Sequence, residues 1–102
     1  MGYFGYTYYE QNQDTLKALQ VDSGAGCVSP SADTAADGTY TPLARPLFIY
    51  VSNKSYDENE AVKAYLDFYI ANLPAISESA QFIPLNADQA AATETALAGL
   101  SG

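Results

Sequence analysis

The five residues Leu47-Phe48-Ile49-Tyr50-Val51 constrain this chain more than any other segment. Successive strand side chains point to opposite faces, and here both parities are apolar, so a strand at this position needs cover on both faces. Pro46 is acceptable only at its start, because proline donates nothing to a ladder. The rest of the chain offers little to pair with it. Leu16–Val21 reads as a strand with Leu19 and Val21 on one face, Gly2 onward starts as a short apolar strand, and Phe82–Leu85 reads as a short extended clamp. A lone two-stranded ribbon is marginal in water. The pattern therefore predicts an α/β chain with two or three strands, whose missing neighbours come from other copies or from further polypeptide.

The helical signals are clearer. Val62, Tyr65, Leu66, Tyr69, Ile70 and Leu73 fall at i, i+3, i+4, i+7, i+8 and i+11, one continuous stripe with Lys63, Asp67 and Asn72 outside it. Asp57 or Ser55 is placed to cap this helix, each with a glutamate three residues on, Glu60 and Glu58. Pro74 ends or kinks it, and Ala75–Ala80 resumes it for a turn or two. A final helix follows Asn86, with Gln89 in the capping-box position and Ala90, Ala91, Leu97 and Leu100 as a modest apolar face. Between Pro30 and Tyr40, Ser31 caps a small helix, Asp33 sits in its first turn and Gly38 ends it in the left-handed conformation. Asp22–Ser29, with Ser-Gly-Ala-Gly, reads as a turn or hairpin-like loop. Pro42 and Pro46 bracket an extended approach to the apolar strand.

At the other end, Tyr3, Phe4, Tyr6, Tyr8 and Tyr9 place five aromatics within Gly2–Tyr9. Chain ends are ordinarily polar and loosely ordered, so this start reads as an interior segment. The expectation is a tail end of a larger protein. Tyr6, Tyr9 and Glu10 begin one or two helical turns that Asn12 and Asp14 end.

Composition narrows the function classes. Twelve acidic residues against Lys17, Arg45, Lys54 and Lys63 give a net charge of −8. A phosphate backbone is repelled by such a chain, which argues against nucleic-acid binding, and an anionic membrane surface is disfavoured for the same reason. There is no histidine, so the usual neutral-pH proton carrier and commonest metal ligand are missing. Cys27 is the sole cysteine and reads as a small apolar residue at a loop or strand edge. Its sharper alternative is a disulfide to a cysteine elsewhere. Neither a signal peptide nor a membrane span is written in these residues.

Four ordered blocks then resemble one family. They are Gly2-Tyr-Phe-Gly-Tyr-Thr-Tyr-Tyr-Glu-Gln-Asn12, Val28-Ser-Pro-Ser-Ala-Asp-Thr-Ala-Ala-Asp-Gly-Thr-Tyr40, Leu43-Ala-Arg-Pro-Leu-Phe-Ile-Tyr-Val51 and Val62-Lys-Ala-Tyr-Leu-Asp-Phe-Tyr69. Their order and spacing are similar to the C-terminal third of PstS-type phosphate-binding proteins of ABC transporters, nearest to cyanobacterial-like members. The resemblance runs from Gly2 to about Leu85. It implies an α/β chain that is the C-terminal fragment of a type II periplasmic binding protein fold, with no cofactor. By resemblance, residues 1–44 form a hinge and second-lobe-like part. Residues 45–102 form a first-lobe-like part, in which Arg45–Val51 is the return crossover strand and Asp57–Leu100 packs on the first lobe. The partners implied for the parent are inorganic phosphate and a membrane permease, and the implied location is periplasmic or otherwise extracytoplasmic.

No catalytic, metal or ligand-binding residue is assigned to the chain. The resemblance places the phosphate-holding motifs upstream of these residues. Arg45, the sole arginine, precedes Pro46 at a strand entry and has a structural explanation there. The pairs Asp33/Asp37 and Asp57/Glu60 invite an acid/base reading, but capping, first-turn charge and solvation account for each. The expected function is thus a phosphate-receptor fragment, not an enzyme, that does not bind phosphate by itself. The alternative is a self-associating interaction module, a homodimer or higher oligomer joined through its uncovered apolar surface.

Overall fold

Local hydrogen-bonding chemistry sets most of the element boundaries in the computed structural model, which describes residues 1–100. Residues 101 and 102, the end of the expected 45–102 part, lie outside the described residues. Helix α1 is Tyr6–Glu10, started at Gly5 without a side-chain cap. The side-chain amide of Asn12 donates to the Tyr8 carbonyl at 2.8 Å, closing the turn that ends it. Strands β1 (Val21–Asp22) and β2 (Cys27–Val28) pair antiparallel, Val21 opposite Val28 and Asp22 opposite Cys27. Their hairpin is organised by the Asp22 carboxylate, which accepts from the backbone N–H groups of Gly24 (2.8 Å) and Gly26 (3.1 Å). Both glycines have positive φ, 110° and 109°, a conformation that penalises a Cβ. The expected hairpin is present. The expected Leu16–Val21 strand is not; only Val21 enters the ladder.

Helix α2, Ala32–Ala36, forms where Ser31 and Thr34 exchange side-chain and backbone hydrogen bonds in a capping box. Asp33 lies in its first turn, and Gly38 follows at φ 77°. The stripe lies on α4, Glu60–Ala71, with Leu73 opening α5, Leu73–Ser79, and the residues expected to start its helix form a separate one, α3, Asn53–Glu58. Asn59, extended at φ −119° and ψ 101°, breaks the first junction. Its side-chain oxygen accepts from Ala61 N–H (3.0 Å) and Val62 N–H (3.3 Å), so Asn59 caps α4. Asp57 and Ser55, the caps expected from sequence, lie inside α3, whose own cap is Ser52. Pro74 sits in the first turn of α5, where its missing N–H costs nothing. Helix α6, Ala87–Ala98, carries the expected Asn86/Gln89 capping box.

The core lies between α3 and α4. Tyr56 at 4% and Leu66 at 6% exposure are the buried hydrophobic residues. The Tyr56 hydroxyl donates to the Asp67 carboxylate at 2.7 Å, and the Lys63 ammonium stands 5.0 Å from the centroid of the same ring. Val62, Tyr69, Ile70 and Leu73 of the stripe are half-buried, whereas Tyr65 turns outward. Long-range ties hold the periphery: Gln89 donates to the Ala36 carbonyl at 2.9 Å, and Thr7 donates to the Gln81 carbonyl at 2.7 Å. On α6, Ala90, Leu97 and Leu100 are half-buried, but Ala91 is exposed.

The largest departure from the sequence reading is at Leu47–Val51. Residues 44–52 form neither helix, strand nor turn and pair with no strand among the described residues, and Leu47–Tyr50 are exposed. The apolar-on-both-faces pattern asks for a sheet on either side, and the two-stranded ribbon of β1 and β2 is the sheet that exists. Gly2–Gly5 and Phe82–Leu85 likewise form no strand. Thr41–Leu43 turns instead of running extended, so the approach expected between Pro42 and Pro46 begins only at Ala44. The radius of gyration is 16.8 Å, against ~13 Å for a close-packed domain of this length.

Candidate functional site

The residues weighed from sequence are scattered, not gathered. Asp33 is in the first turn of α2. Asp37 follows that helix and accepts from Thr39 twice, from its N–H at 2.8 Å and its hydroxyl at 2.6 Å. These bonds hold the Asp37 carboxyl below the usual carboxylate range, its charge being used locally to close a turn. Asp57 lies within α3 and Glu60 opens α4, where a negative charge complements the helix dipole. Arg45 is exposed in the extended segment, with no carboxylate within ion-pair distance among the described residues. Cys27 is exposed on β2. Among the described residues, no three His, Cys, Asp or Glu side chains come together as a metal site.

Two depressions exist on the surface. One, of about 420 Å³, is bordered by Tyr50, Val51, Ser55, Val62, Tyr65 and Leu66, with no charged side chain in its lining. The other, of about 390 Å³, lies among Tyr9, Lys17, Leu19, Gln20 and Ser29. Its polar groups are partly used internally, since the Gln20 amide donates to the Ser29 hydroxyl at 2.8 Å. Lys17 is exposed on a chain of net charge −8. Anchoring a phosphate takes several convergent charge-assisted donors, and neither depression supplies them.

What the surface does present is aromatic area. Tyr50 is 92% exposed, Phe48 70%, and Tyr65 and Phe68 65% each. Phe48 and Tyr50 stand with ring centroids 6.4 Å apart, and Tyr65 packs on Tyr69 at 6.1 Å. Tyr50 and Tyr65 border the same depression, which joins the two pairs into one face. The exposed rings of Phe48, Tyr50 and Tyr65 contribute roughly 340–570 Å² to it, at 150–250 Å² per fully exposed aromatic. The largest apolar patch on a typical monomer is ~300–600 Å². Sequence reasoning located the stripe but had no signal that Tyr65 would turn outward, beside the depression that Tyr50 also borders. The Tyr56–Asp67 bond was also missed; it spans two helices where one was expected.

The family profile described as "PBP superfamily domain" matches residues 2–72, and the chain belongs to that superfamily. Over 85 residues it is 46% identical to Protein SphX of Synechocystis sp., covering 83% of this chain and 25% of that protein. It is 43% identical over 88 residues to Protein SphX of Synechococcus elongatus, covering 85% and 26%. With the phosphate-binding protein PstS of Staphylococcus haemolyticus it shares 37% identity over 84 residues, covering 81% and 26%. The chain thus spans about a quarter of the length of these relatives. No solved structure matches it. No helix among the described residues is long and apolar enough to cross a membrane.

Proposed function

We propose that this chain is the part of an extracytoplasmic phosphate receptor that supplies hinge-region and crossover elements, with the phosphate-holding groups on polypeptide beyond it. The observation that carries this reading is the 37% identity to a protein named as phosphate-binding, confined to a quarter of that protein's length. The uncovered apolar segment Leu47–Val51 supports it, because a strand of that composition belongs inside a sheet. In this reading residues 1–44 belong with a second lobe and residues 45–102 with a first, the parent passes phosphate to a membrane permease, and no chemistry is performed. The 102-residue chain alone then gives no heat with inorganic phosphate in isothermal titration calorimetry. A chimera in which its residues replace the aligned segment of the S. haemolyticus protein binds phosphate. Micromolar binding by the chain alone, or a cooperatively folded chimera without binding, refutes the assignment.

A second reading is favoured by the aromatic face itself: the chain self-associates. An interface of standard size buries ~800 Å² per partner, and the exposed rings approach that before Leu47 and Ile49 are counted. Light scattering at micromolar concentration tests it. A species of 10.9 kDa, the mass of one chain, contradicts it.

A further inference from the structure

We infer that Leu47–Val51 pairs with the same segment of a second copy as an antiparallel two-stranded ladder centred on Ile49, an inference that rests on the self-association reading. The segment carries no helix, strand or turn, Leu47–Tyr50 are exposed and Val51 half-buried, all five are apolar, and no backbone hydrogen bond engages residues 45–51 among the described residues. Unpaired N–H and C=O groups on such a segment are a template for strand addition. Its length is bounded on both sides. Pro46 cannot donate to a ladder, and Ser52 is committed as the cap of α3. Five residues remain, and their midpoint is Ile49.

A second copy fits this edge because two-fold pairing about Ile49 is self-complementary. It sets Phe48 opposite Tyr50 of the other copy, twice, and Leu47 opposite Val51, twice. Aromatic pairs directly across an antiparallel ladder are favourable, and here all four rings start exposed. Tyr65 on α4, which borders the same depression as Tyr50, extends the buried area toward that of a stable dimer. No charged side chain lies within Leu47–Val51, so the central pairing brings no like charges together despite the net charge of −8.

Cysteine cross-linking of the full chain tests the register, in a Cys27→Ser background. Opposed residues of an antiparallel pair have Cα atoms ~4.5–5.5 Å apart, within disulfide reach. Leu47 lies opposite Val51, so the two Leu47 positions are four residues, ~14 Å, out of register and beyond disulfide reach. Ile49→Cys is expected to form a disulfide dimer on mild oxidation, Leu47→Cys alone is not, and Leu47→Cys with Val51→Cys is. Ile49→Lys, which opposes two ammonium groups across the axis, is expected to weaken dimerisation at least ~10-fold while leaving the helical circular-dichroism signal unchanged. A dimer that persists with Ile49→Lys, or that cross-links equally through Leu47→Cys alone, overturns the strand pairing but not self-association. A monomer in the Cys27→Ser background overturns both.

Discussion

Replacing Leu66 by alanine tests whether the chain is held together where the structure says it is. Leu66 is 6% exposed and is one of the two buried hydrophobic residues, the other being Tyr56 on α3. Burying a leucine side chain stabilises by ~1.5–3 kcal/mol, and truncating one in a core costs ~2–5 kcal/mol once the residual cavity is counted. Which end of that range applies depends on whether the hole can close or fill. Leu66 borders the open 420 Å³ depression beside Tyr50 and Tyr65, so water and neighbouring side chains reach the vacated space. The cavity contribution is therefore small, and the expected loss is ~2–3 kcal/mol. For a domain of this size that lowers the melting temperature by roughly 10–20 °C. Urea denaturation followed by circular dichroism at low protein concentration measures it. Tyr65→Ala, one residue away on the outward side of α4, is the control and is expected to cost less than ~0.5 kcal/mol. A Leu66→Ala loss below ~1 kcal/mol, or a Tyr65→Ala loss equal to it, would show that α4 does not pack on α3 through this face.

Two further outcomes follow from local chemistry. Asn59→Ala removes the oxygen that accepts from Ala61 and Val62 N–H, and is expected to destabilise by ~1 kcal/mol, whereas Asp57→Ala, within α3, leaves the α4 cap intact; thermal melts of both variants separate the true cap from the one expected by sequence. The Asp37 carboxyl is held below its ordinary value by Thr39, so its contribution to stability is complete above the ordinary carboxylate range and is lost as pH falls through the lowered value; Thr39→Val, which removes the hydroxyl donor and keeps the backbone one, is expected to raise the Asp37 titration, followed by carboxyl-carbon NMR, part of the way to the ordinary range, and an unmoved titration contradicts the assigned cause.

The parts of the fold legible in the sequence are those decided within a few residues. Ser31, Gly38, Asn86 and Gln89 do what their types predict, because a cap or a left-handed residue needs only its immediate neighbours. The stripe Val62–Leu73 locates the buried face for the same reason, with five of its six positions turned inward. What sequence could not show was where the helix carrying that stripe starts. Asn59 caps it by accepting two backbone N–H groups, and Asp57 or Ser55 offered the same chemistry two or four residues earlier. The strand at Leu47–Val51 failed differently. Its pattern asks for cover on both faces, and a pattern carries no information on where such cover comes from. The outward turn of Tyr65 was not legible, because periodicity alone assigns its position to the inward stripe.

The Tyr56–Asp67 bond bears on how separable folding and association are. Tyr56 donates to Asp67 across α3 and α4, and this bond together with burial and the nearby carboxylates holds the phenol above its ordinary value. A raised tyrosine value means the neutral, donating form is favoured in the fold. That stabilisation is complete below the ordinary tyrosine range and is lost only as pH rises through the raised value. Leu47–Tyr50, on the segment before α3, and Tyr65, on the outward side of α4, take no part in this bond and are exposed. An edge substitution such as Ile49→Lys can therefore alter what docks on the chain without touching what folds it, and Leu66→Ala does the reverse. The division suits a segment whose helices form by themselves and whose strand is completed by other polypeptide, and it separates the two readings of that strand: in the receptor the cover is a sheet of the same protein, in the isolated chain it is a second copy.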